Sequence, residues 1–232
     1  MKTLLSSLLI VHVATGSIAL LVGLIPMIAK KGGRLHNRAG LVYVYCMITV
    51  AITALLLCGL QPFKMMRLFL TGIAVFSFYL SMTGWRATKQ KKAGPTSFDK
   101  GLTWVTLVVS FAMIGFGGYL LLTRGASFFP ILFSFFGTLT LVFAGRDLQF
   151  MAKPIEKMHW FFQHFTRMGG SYIATFTAAL VTNLPRLLPS NAPEWMYTAG
   201  WIVPSVVGGM LIGRTVAYYK KKFNTPKVAV AA

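Results

Sequence analysis

Acidic side chains are nearly missing from this chain. Its 232 residues hold four, Asp99, Asp147, Glu156 and Glu194, all in loops or near the ends of apolar runs. A ladder of carboxylates through a bilayer, as many proton-coupled carriers need, is therefore excluded. Charge of either sign is scarce at 12% of residues, about half the roughly 25% of soluble domains, so the chain cannot cover itself in water. Cysteine is limited to Cys46 and Cys58, both in one predicted helix. At 1.5 Å rise per residue they lie roughly 18 Å apart, beyond disulfide reach, and read as apolar filling. No Walker loop, dinucleotide fingerprint, Gly-x-Ser-x-Gly elbow or Cys-x-x-Cys occurs, so the chemistries those motifs carry find no support.

What the chain has instead is long apolar sequence, 56% hydrophobic overall. Seven runs stand out, at about 4–29, 41–60, 66–85, 102–123, 128–146, 158–183 and 196–219. A bilayer core of about 30 Å takes about 20 helical residues. The runs are apolar on all sides, as lipid-facing helices are. The expectation is an all-α integral membrane protein, one bundle of seven transmembrane helices over residues 1–232, with no separate soluble domain. The start, Met1-Lys2-Thr3-Leu4-Leu5, looks like a signal peptide. Its apolar run continues to Ala29, however, and is read as a retained first span.

Basic residues number 23, for a formal net charge of +19. They sit in short loops and form no groove-sized surface with interleaved aromatics, which argues against nucleic acid. Their distribution gives orientation. With the N-terminus outside, sixteen fall on inner segments (around 30–38, 86–100, 146–157 and 220–227) and five on outer ones. The positive-inside rule then puts the N-terminus outside and the C-terminus inside a plasma membrane.

The sixth run carries the densest polar signal, His159-Trp160-Phe161-Phe162-Gln163-His164-Phe165-Thr166-Arg167-Met168-Gly169-Gly170-Ser171-Tyr172. At about 100° per residue, His164, Arg167, Met168, Ser171 and Thr175 share one face. Such a stripe must face protein or water. His159 and His164 stand about 140° apart on a regular helix and are not an i, i+4 ligand pair. His36 lies in the first inner loop and Asp147 at the end of the fifth run, so His36, Asp147, His159 and His164 share a depth near the inner face. Nitrogen and carboxylate donors of this kind suit zinc, iron or copper. Convergence of His36, Asp147 and one or both of His159 and His164 on a divalent metal is the expectation. Arg167, with Ser171 and Tyr172 beside it, is the candidate for holding an anionic substrate group. Otherwise its anion is Asp147, Glu156 or a lipid phosphate. His12 lies on a face with Thr15, Gly16, Ala19 and Gly23, a helix-contact face, and reads as a packing or hydrogen-bonding group. Its depth differs from that of His164 by roughly 10 Å or more, which disfavours a bis-histidine haem.

The His12-x-x-x-Gly16 start, the His36-x-x-x-Gly40-x-x-Tyr43 turn and the His164-x-x-Arg167-Met168-x-x-Ser171-Tyr172-Ile173-Ala174 run resemble an uncharacterised bacterial membrane-protein family catalogued as domain of unknown function 2306. The resemblance spans the first run through the sixth. It implies a multi-pass inner-membrane protein and supplies no reaction. Three functional readings follow: a metal-binding or redox membrane enzyme with its site at the inner face, a carrier or binder of a small lipophilic or anionic ligand, and a structural or accessory membrane subunit.

Overall fold

The structure is a computed structural model and describes residues 1–91, 94–152 and 158–224. Every regular element among them is a helix: α1 (Lys2–Val22), α2 (Leu24–Ile28), α3 (Arg34–Gly59), α4 (Met65–Ala87), α5 (Ser97–Arg124), α6 (Phe128–Met151), α7 (His159–Leu187) and α8 (Glu194–Asn224). Helices are the form in which a continuous apolar segment satisfies its own backbone in lipid.

Six segments are long and apolar enough to cross a membrane: α1 continuing into α2, α3, α4, α5, α6 and α8. By composition one of the seven expected runs, at about 158–183, is not among them. The remaining long helix, α7, has the length at 29 residues, but its histidines, arginine, glutamine and hydroxyls dilute its apolarity. It packs mainly against α4 and α8 and also touches α1. Half of the α4 span is buried inside the protein, against 6% of the α8 span. So α4 forms the centre, and α8 is an outer helix with a broad apolar surface.

Two helices start earlier than their apolar runs. α3 begins at Arg34, after a turn in which Gly32 has φ 74°, a backbone conformation that suits glycine. His36, expected in a loop, therefore sits in the first turn of α3. α5 begins at Ser97 behind a capping box in which the Thr96 and Asp99 side chains each take the other's backbone N–H. Asp99 also accepts from Arg86 Nε and from Gln90 Nε2, both at 2.5 Å, which staples the end of α4 to the start of α5.

Away from that end, Phe69 of α4 meets Phe133 and Phe136 of α6 and Trp201 of α8 edge-on, with ring centroids 5.1 to 5.7 Å apart. Edge-to-face rings at this spacing add about 0.5–1.5 kcal/mol per pair beyond the area they bury. This aromatic block holds one end of the bundle while the polar groups gather at the other.

Candidate functional site

The polar end is built around Arg167 and Asp147, which are 3% and 2% exposed. Spacing along α7 turns Arg167 inward with Ser171 and Thr175, all three buried. Arg167 Nη2 donates to Asp147 Oδ1 at 2.5 Å and to the Phe143 carbonyl at 3.0 Å. Tyr79 of α4 donates its hydroxyl to Asp147 Oδ2 in a short hydrogen bond. Gln163 Nε2 lies 3.4 Å from Asp147 Oδ1. The guanidinium sits 4.5 Å from the centre of the Phe143 ring and 5.5 Å from that of Tyr79, so aromatic faces replace part of its lost hydration. An arginine this deep does not snorkel to the headgroups. Of the anions open to it by sequence, Asp147 is the one it meets; Glu156 lies outside the described residues.

The pairing is incomplete. Arg167 Nε and Nη1 are buried and find no hydrogen-bond partner among the described residues. A buried donor left unmade costs about 1–3 kcal/mol, and more for a charged group. On the Asp147 side of the pair, a cavity of about 60 Å³ is lined by Asp147, Gln163, His159, Asp99, Thr103 and Thr83 among others, and Arg167 itself does not line it. One water needs about 10–15 Å³ of such space, so several fit.

Gly84 brings α7 this close to α4. A Cβ there would lie 2.9 Å from Arg167 Cβ and 3.0 Å from the Met168 backbone nitrogen, so only glycine admits this approach. The carbonyl of the same residue accepts from His164 Nδ1 at 2.8 Å.

The four expected metal ligands fall into two groups, His36 with His164, and Asp147 with His159 on one cavity. His36 and His164 lie next to each other, with ring centroids 6.2 Å apart and ring planes inclined by 66°. Asp147 is bound to Arg167 and Tyr79. His159 packs on Phe150, with ring centroids 4.4 Å apart, and lines the cavity. Among the described residues, no three His, Cys, Asp or Glu side chains gather as a metal-holding group. The expected convergence on one divalent ion is corrected accordingly. Its physical reason is that the Asp147 carboxylate is taken up by Arg167 and Tyr79.

Ser171 and Tyr172, expected to attend a ligand of Arg167, are engaged elsewhere. Tyr43 of α3 shares its hydroxyl with Ser171 Oγ at 2.8 Å and Thr175 Oγ1 at 3.1 Å. Tyr172 donates to the Leu20 carbonyl at 2.9 Å, and its ring covers Gly23, where a Cβ would fall 2.7 Å from it. His12 Nδ1 lies 2.9 Å from Thr53 Oγ1. The Thr53 hydroxyl already donates to the Thr49 carbonyl at 2.7 Å, so His12 is the donor and ties α1 to α3.

Sequence reasoning missed Tyr79 and the aromatic face of Phe143. Both lie inside apolar runs, and nothing in their spacing marks them.

The fold and this polar end define an all-helical multi-pass membrane protein with a buried ion pair inside its bundle. No family model, curated protein or solved structure matches the chain.

Proposed function

We propose that the protein is a membrane carrier or binder for a small ligand that presents an oxygen acceptor, carbonyl or carboxylate, to Arg167. The observation that carries this reading is the pair of unpartnered donors on Arg167, a residue 3% exposed whose ion-pair partner Asp147 lines a small cavity. Asp147 balances the guanidinium charge without using Nε or Nη1, so the donors remain for a guest. A purely structural subunit gives no reason for such a deficit. A redox or metal enzyme drawing Asp147 and the histidines onto one ion has less support, because Asp147 is committed to Arg167 and Tyr79. We also read the basic end as cytoplasmic, on the sixteen-to-five asymmetry of Lys and Arg. The membrane is then a bacterial inner membrane, in keeping with the family resemblance carried by the His164 to Ala174 run.

The test is thermal unfolding of the full chain in lipid nanodiscs with decanoate, 2-decanone and decane. A rise in midpoint with the acid or the ketone, absent with decane and abolished in Arg167→Lys, is the expected result. Equal shifts with all three, or an undiminished shift in Arg167→Lys, would sink the reading.

A further inference from the structure

The pairing of His36 with His164 is separate from the Arg167 centre and does not rest on the reading of it. Each ring fixes its Nδ1 on a backbone carbonyl: His36 on Pro26 at 3.0 Å, His164 on Gly84 at 2.8 Å. A carbonyl can only accept, so both Nδ1 atoms carry hydrogen. In the neutral rings the lone pairs then lie on Nε2. Imidazoles held in this way are oriented, and made more basic, for ligation through the other nitrogen.

The spacing fits one shared ion. Two metal–nitrogen bonds of about 2.0–2.1 Å, with about 1.2 Å more from each nitrogen to its ring centre, put collinear imidazoles about 6.4 Å apart. The observed separation is 6.2 Å. The donor set is too small for a tetrahedral zinc site, since no third His, Cys, Asp or Glu joins the pair among the described residues. Charge points the same way. The Lys31 ammonium bonds the Pro26 carbonyl at 2.7 Å, the same oxygen that holds His36, and the Met27 carbonyl at 2.6 Å. At equal distance its charge repels a divalent ion twice as strongly as a monovalent one. A two-nitrogen site beside a fixed cation therefore selects low charge and low coordination number.

We propose that His36 and His164 form a two-coordinate site for a monovalent d10 cation, Cu(I) or its analogue Ag(I). Imidazole is an established copper ligand type, and the two carbonyl-anchored rings lie within the span of one bridging ion. The site bridges the first turn of α3 and the first turns of α7.

The experiment uses the full chain in nanodiscs under reducing, oxygen-free conditions. Cu(I) is titrated against the chelator bathocuproine disulfonate, and the loaded wild-type protein is examined by copper-edge X-ray absorption. The expected result is one Cu(I) per chain with two nitrogen neighbours. His36→Ala and His164→Ala each weaken binding tenfold or more, His12→Ala leaves it unchanged, and Lys31→Gln tightens it. Failure to compete with the chelator overturns the proposal. So does a spectrum with three or four ligands, Zn(II) binding as tight as Cu(I), or full retention of copper by the double His36→Ala, His164→Ala variant. The spectrum of the wild-type protein decides the matter even where a variant does not fold.

Discussion

Breaking the Arg167–Asp147 pair from one side should be far more damaging than removing it whole. In Asp147→Leu the guanidinium loses its counter-ion and keeps one described hydrogen bond, to the Phe143 carbonyl, while Tyr79 loses the acceptor of its hydroxyl. In Arg167→Met the carboxylate keeps Tyr79 and the distant Gln163 but loses its charge partner. Removing one member of a buried pair costs about 3–5 kcal/mol, whereas replacing both with apolar groups of similar volume is often neutral or stabilising. Arg167 and Asp147 are each at most 3% exposed, so solvent screening does not shrink this figure as it would at a surface. The two single variants and the double variant, Asp147→Leu with Arg167→Met, form a cycle to be measured by reversible denaturant unfolding in mixed micelles. Each single variant should lose about 3–5 kcal/mol, and the double variant less than either, a coupling of several kcal/mol. The orphaned Nε and Nη1 sharpen the expectation, because Arg167→Met also abolishes an existing deficit. It should therefore be the milder of the two single variants. Additive losses below about 1 kcal/mol each would refute the buried pair and place Arg167 in contact with headgroups or water.

Two further outcomes follow from the geometry. Gly84→Ala inserts a methyl group against Arg167 Cβ and the Met168 backbone and should destabilise the protein by about 1–3 kcal/mol, whereas Gly118→Ala, with open space around it, should not; unfolding midpoints of the two variants check this. Reporter fusions at Lys222 and between α4 and α5 should both report cytoplasm if the basic end faces inward, and a periplasmic signal from either would reverse the orientation.

The helical class was legible because apolar length is a one-dimensional signal. Helix starts were not, because hydropathy marks where lipid begins rather than where the backbone begins to coil. Arg34 to Gly40 and Ser97 to Gly101 are helical yet too polar to register as span. The inward stripe of α7 was legible for the opposite reason, since residues three and four apart share a face whatever the fold. Arg167, Ser171 and Thr175 are indeed buried together. Lateral neighbours leave no such trace. Depth placed Asp147 level with the histidines, but nothing along the chain says that α6 presents it to Arg167 while α3 presents His36 to His164. Tyr79 and Phe143 complete the polar centre from helices that read as uniform hydrocarbon.

Gly84 has one peptide serving two neighbours: its carbonyl orients His164 while its bare α-carbon bears on Arg167. Displacement of α7 along α4 therefore cannot change one contact and spare the other. Substitutions on the histidine side and on the arginine side should fail to add. Two neighbouring polar sites joined through a single backbone unit behave as one mechanical element.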